Sequence, residues 1–84
     1  MAHFVYIIKS LKDNRYYIGE TADIDRRLFE HNEGWVKSTR HRRPFILVHF
    51  EKLDSRTEAL KREKQIKAYK AGEAFKNLPS SNEW

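Results

Sequence analysis

Phe4-Val5-Tyr6-Ile7-Ile8-Lys9-Ser10-Leu11-Lys12-Asp13-Asn14-Arg15-Tyr16-Tyr17-Ile18-Gly19 decides the fold of this chain. Residues 4–10 are β-branched and aromatic, and end in Lys9-Ser10, which reads as a strand. Asp13-Asn14 is a turn signal, and the run from Arg15 to Gly19 reads as the return strand of a hairpin. A period of two puts Phe4, Tyr6 and Ile8 on one face, with Val5 and Ile7 on the other. The second strand likewise separates Tyr17 from Tyr16 and Ile18.

Outward from the hairpin, a first helix is expected to start near Asp23, a good N-cap residue, and to end at Gly34, which suits a left-handed C-terminal position. Ile24 and Leu28 are its apolar positions. Arg27 and His31, four apart, share one side of it. Residues 35–43 read as a basic loop. Pro44 then introduces Phe45-Ile46-Leu47-Val48-His49-Phe50, the longest apolar run, read as a central strand. Ser55 and Glu58 have capping-box spacing and open a second helix that is expected to reach about Lys70. Gly72 breaks it, residues 73–78 suit a short last helix, and residues 79–84 read as a flexible tail. The expectation is one α/β (α+β) domain over 1–78, a three-stranded antiparallel sheet flanked by helices in the order β-β-α-β-α-α.

Size and charge narrow the function. With 84 residues there is room for one small core. The chain has no cysteine, which excludes a disulfide scaffold and a thiolate zinc site and fits a reducing compartment. The short apolar N-terminal run is neither a membrane span nor a signal peptide, so a cytoplasmic protein with no membrane role is expected. Seventeen Lys and Arg against twelve Asp and Glu give a net charge of +5. The stretch from Lys37 to Arg43 holds four fixed positive charges and no acid, and 61–70 holds five Lys or Arg and one Glu. Both clusters point to phosphate, and so to nucleic acid. Lys37, Arg40, His41, Arg42 and Arg43 are the candidate contacts, and Trp35 and His41 could stack on a base.

One carboxylate is out of place. On a helical wheel Ala59, Leu60 and Ile66 mark the apolar arc of the second helix, and Glu63 falls inside it. A carboxylate toward a core is costly unless paired. Glu63 either reaches outward to a neighbour such as Lys67 or is held to bind a cation. The other acids read as structural: Asp23 and Glu58 sit at helix starts, and Glu30 can pair with Arg26. No two carboxylates have convincing two-metal spacing. His3 and His49 read as structural.

Together these residues resemble the GIY-YIG nucleases, and the chain is similar to the small stand-alone bacterial proteins that are little more than the catalytic module. The resemblance covers about residues 4–78. Val5-Tyr6-Ile7 stands in the degenerate first motif and Tyr17-Ile18-Gly19 is the intact second. Arg27, His31 and Glu63 match the family's arginine, histidine and metal-binding glutamate. The resemblance implies hydrolysis of DNA phosphodiester bonds, structure-specific or of low specificity, in the setting of repair or recombination. It implies one divalent cation, Mg²⁺ or Mn²⁺, on Glu63. Tyr6, Tyr17, Arg27, His31 and Glu63 become the catalytic candidates, with Tyr17 the favoured proton acceptor. DNA is preferred to RNA as partner, and a protein partner could supply specificity. The sequence departs from the nuclease subunit of excision repair at Glu20, where that protein has a lysine thought to activate the tyrosine. The family's distal asparagine has Asn77 as its candidate match. The alternative is a nucleic-acid-binding protein that keeps the fold and does not cut.

Overall fold

The computed structural model describes residues 2–68. The expected last helix over 73–78, the tail over 79–84 and Asn77 lie outside the described residues. The strands are β1 (His3–Ser10), β2 (Tyr16–Thr21) and β3 (Phe45–Leu53), and the helices are α1 (Ile24–Glu33) and α2 (Arg56–Lys67). All strand pairings are antiparallel and the sheet order is β2-β1-β3. The expected α+β architecture is therefore present.

The strand order corrects one expectation. The apolar run of 45–50 was expected in the centre of the sheet, but β3 lies at an edge and β1 is central. The reason is visible in burial. Val5, Tyr6, Ile7 and Ile8 are buried consecutively, because β1 is covered on both faces, whereas Ile46 on β3 is 43% exposed. An unbroken buried run marks a strand sandwiched between layers, and length alone does not.

Two half-cores follow from the alternation. Val5 and Ile7 pack against Ala59 and Ile66 of α2, while Tyr6 and Ile8 pack with Phe45 and with Leu28 of α1. The helices thus cover opposite faces of the sheet. Leu60, placed by the wheel in the apolar arc, is instead 44% exposed. The contact face of α2 is centred between Ala59 and Ile66. Glu63 lies roughly 40° from Ala59 around the helix, and Leu60 roughly 100°.

Local chemistry sets the ends of these elements. In the hairpin, Asn14 takes a positive φ of 61° and the Asp13 carboxylate accepts from the Arg15 amide. Asp23 caps α1 by accepting from the Arg26 amide at 3.1 Å, and Gly34 ends it at φ 81°. Ser55 caps α2 by accepting from the Glu58 amide. The Asn32 side chain donates to the Phe45 carbonyl at 3.1 Å and accepts from its amide at 2.7 Å, tying α1 to the start of β3. On the α2 face, Glu51 bridges buried His49 and the Arg62 guanidinium. His49 thus has the structural setting expected of it.

Candidate active site

Tyr6 stands at the middle of the central strand. It pairs across the hairpin with Gly19, and Tyr17 pairs with Ile8 one step along, so both phenols project from the α1 face. Their ring centroids are 6.4 Å apart. A Cβ on Gly19 would lie 2.5 Å from the Tyr6 oxygen. The glycine is therefore required by the ring that lies over it.

The Tyr6 hydroxyl is 2.9 Å from His31 Nε2, and His31 Nδ1 is 2.8 Å from Thr39 Oγ1. All of Tyr6, His31 and Thr39 are buried. Burial, with the neighbouring Arg27 charge, lowers the imidazole pKa to about 4, so His31 is neutral near pH 7. One proton assignment satisfies every bond. Nδ1–H donates to Thr39, whose hydroxyl points to the Val36 carbonyl, and Nε2 accepts from the Tyr6 hydroxyl. Burial pushes the Tyr6 phenol up to about 12, against the opposing pull of the Arg27 guanidinium beside its oxygen. The Glu63 carboxylate adds to the rise, so its charge is felt at the phenol although α2 packs on the other face.

Arg27 also donates to Glu30 at 3.0 Å, and Arg26 reaches the same carboxylate, as expected from their spacing. Arg26 and Arg27 face Glu20 and Arg56 across an open cleft of about 510 Å³, between the starts of α1 and α2. Glu20 is held by His3 and approached by Arg56 at 3.8 Å. His3 is thus part of the cleft wall. The fold brings Tyr6, Tyr17, Arg27 and His31 together. Glu63 is 16% exposed and pairs with Lys67 at 2.7 Å, the partner considered from sequence.

The basic segment is more ordered than a loop. It contains a 3₁₀ turn over Arg40–Arg42, anchored by Thr39 on His31. Lys37, Arg40, His41 and Arg43 are exposed. Arg42 folds back instead, bonded to Asp13 at 3.0 Å with its guanidinium over the Phe45 ring. Sequence reasoning missed Thr39 and Asn32. Neither stands in a periodic pattern, and Thr39 lies inside the charged stretch from Lys37 to Arg43 with nothing to set it apart.

The GIY-YIG catalytic domain pattern matches residues 2–74. This chain belongs to the GIY-YIG family. A UPF0213 protein of Haloquadratum walsbyi is 50% identical over 68 residues, covering 80% of this chain and 75% of the relative. One from Staphylococcus haemolyticus is 41% identical over 77 residues, covering 90% and 93%. The solution structure of a UPF0213 protein from Bacillus halodurans is 34% identical, covers 99% of this chain and all of the other, and superposes with a TM-score of 0.48. This GIY-YIG chain is thus akin to small stand-alone members of the family. Among its described residues no group of three or more His, Cys, Asp or Glu converges, and no helix is long and apolar enough to cross a membrane. A lone carboxylate such as Glu63 suits a hard cation that keeps most of its waters and takes further oxygens from a phosphate.

Proposed function

We propose that this chain hydrolyses phosphodiester bonds in nucleic acid, DNA before RNA, with one divalent cation, Mg²⁺ or Mn²⁺, held by Glu63. The observation that carries this reading is the chain Tyr6–His31–Thr39 beside Arg27, a phenol whose proton has a neutral, buried acceptor already bonded to it. Bound to Glu63, the cation would supply Lewis-acid stabilisation of charge on the phosphate and leaving oxygen.

Arg27 fits the phosphate as a planar fork, after partial release from Glu30. Tyr17, half-exposed next to Tyr6, orients the attacking water. A phenolate at neutral pH is out of reach for a group at about 12. Tyr6 acts instead as a neutral relay, taking the water's proton while its own passes to His31 Nε2. This favours Tyr6 over Tyr17 as proton acceptor and leaves no task for the lysine that Glu20 replaces. Thr39 holds the imidazole in the accepting tautomer. Exposed Lys37, Arg40, His41 and Arg43 supply backbone contacts. Cytoplasmic location and a role in repair or recombination accord with such chemistry and with a chain that lacks cysteine.

The test is direct. Purified protein with Mg²⁺ or Mn²⁺ should cut branched, nicked or single-stranded DNA, and Glu63→Ala and Arg27→Ala should each abolish cutting. Full cleavage by Glu63→Ala would overturn the reading. The pairing of Glu63 with Lys67 favours a second reading, a binder that does not cut. Salt-sensitive binding without nicking under any cation, and unchanged by Lys67→Ala, would select it.

A further inference from the structure

Phe29 and Trp35 are 53% and 67% exposed, and stand edge to face with centroids 5.5 Å apart at an interplanar angle of 89°. Phe29 lies on α1, and Trp35 follows the Gly34 cap with its amide bonded to the Glu30 carbonyl. An edge-to-face pair fixes the orientation of both rings while an indole face stays open to solvent. The surroundings are cationic. Arg43 lies against Gly34, its Nε bonded to the Arg40 carbonyl, and Lys37 and Arg40 are exposed nearby in sequence. Glu33 is the exposed acid of the adjoining turn. The segment is held in place by Thr39 on His31 and by the Thr39 and Arg40 amides on the Val36 carbonyl.

From these features we infer that Trp35, braced by Phe29, is a stacking platform for one unpaired base of a single-stranded nucleic acid, whose phosphates lie on Arg40 and Arg43. A fixed aromatic face beside Gly34, against which the Arg43 guanidinium lies, with Arg40 bonded to Arg43 through its carbonyl, matches the two parts of a nucleotide, a flat π surface and an anion. A base inside a duplex presents no free face, so the platform selects unpaired strands. Glu33, the last residue of α1, stands about 9 Å along the helix axis from Arg27, and Trp35 follows the cap beyond it. The platform would therefore hold a nucleotide outside the scissile step. The inference rests on the nucleic-acid reading above and adds the kind of strand that is preferred.

The experiment uses full-length protein carrying Trp84→Phe, so that emission reports Trp35 alone. With EDTA present to prevent cutting, it is titrated at low salt with a labelled thymidine oligomer of roughly a dozen nucleotides, or with a duplex of equal length. Anisotropy of the label reads binding independently of Trp35. The single strand should quench Trp35 strongly and the duplex little. Trp35→Ala should weaken single-strand binding about ten-fold and duplex binding less than two-fold, with Trp35→Phe restoring most of the loss. Single-strand binding with unquenched Trp35, or equal losses for both DNAs, would overturn the platform and leave the nucleic-acid reading intact. Emission that changes with protein concentration alone would point to a second copy of the chain on these rings and overturn the platform. Binding of neither DNA by any variant would overturn both readings.

Discussion

At the scale of single residues, Gly19, Tyr6, His31 and Thr39 make one device, and each has its own signature when changed. Gly19→Ala should displace the Tyr6 ring, because the new methyl would meet the phenol oxygen and Cζ at 2.5 and 2.7 Å. Overpacking of this kind costs about 1–3 kcal/mol, read as a lower urea midpoint, with cleavage lost while the far-UV spectrum persists. His31 makes stability depend on pH. Its folded pKa of about 4 lies below the ordinary value of 6.5, so the unfolded chain binds the proton more readily. The stabilisation from His31 is present above pH 6.5 and declines as pH falls toward 4, by on the order of 2–3 kcal/mol. Urea melts at pH 7 and 4.5 should differ more for wild type than for His31→Gln. An equal difference would mean that the imidazole is not held neutral. Tyr6, Tyr17, Arg27 and His31 were legible as a group because family motifs mark them. Thr39 was not, since nothing in Lys37-Ser38-Thr39-Arg40 distinguishes a buried hydroxyl from a solvated one.

At the scale of elements, α1 supplies two of the site residues, Arg27 and His31, four residues apart. Its cap was readable from Asp23 and its end from Gly34, since both rest on backbone chemistry local to a few residues. Asp23→Ala should cost about 1 kcal/mol, measured as a shift in urea midpoint at unchanged slope. The hairpin was equally legible from Asp13-Asn14 between two apolar runs. Strand order was not, because pairing partners distant in sequence leave no mark in the composition of either strand. The hint lay in the two-sided apolar character of residues 4–8 rather than in the longer run of β3. For α2, the wheel correctly gave Glu63 an inward position and wrongly gave one to Leu60, because two small or branched residues define the centre of the arc too loosely.

At the scale of the whole molecule, a net charge of +5 is spent unevenly. Arg42 is committed to Asp13 and Phe45, whereas Arg40 and Arg43 present their charge outward. DNA affinity measured across salt concentrations should therefore lose roughly one unit of log–log slope for Arg40→Ala. Arg42→Ala should change that slope little and lower the melting temperature instead. The edge position of β3 has a further consequence. The Asn32 amide occupies both the donor and the acceptor of Phe45 on the side that β1 does not use. Among the described residues no strand pairs with that side of β3, and one side chain takes the first rung on which a foreign strand could dock. What holds α1 to the sheet would thereby also slow templated aggregation in a concentrated solution of the protein. Asn32→Leu should leave a folded chain that forms thioflavin-positive assemblies sooner than wild type does.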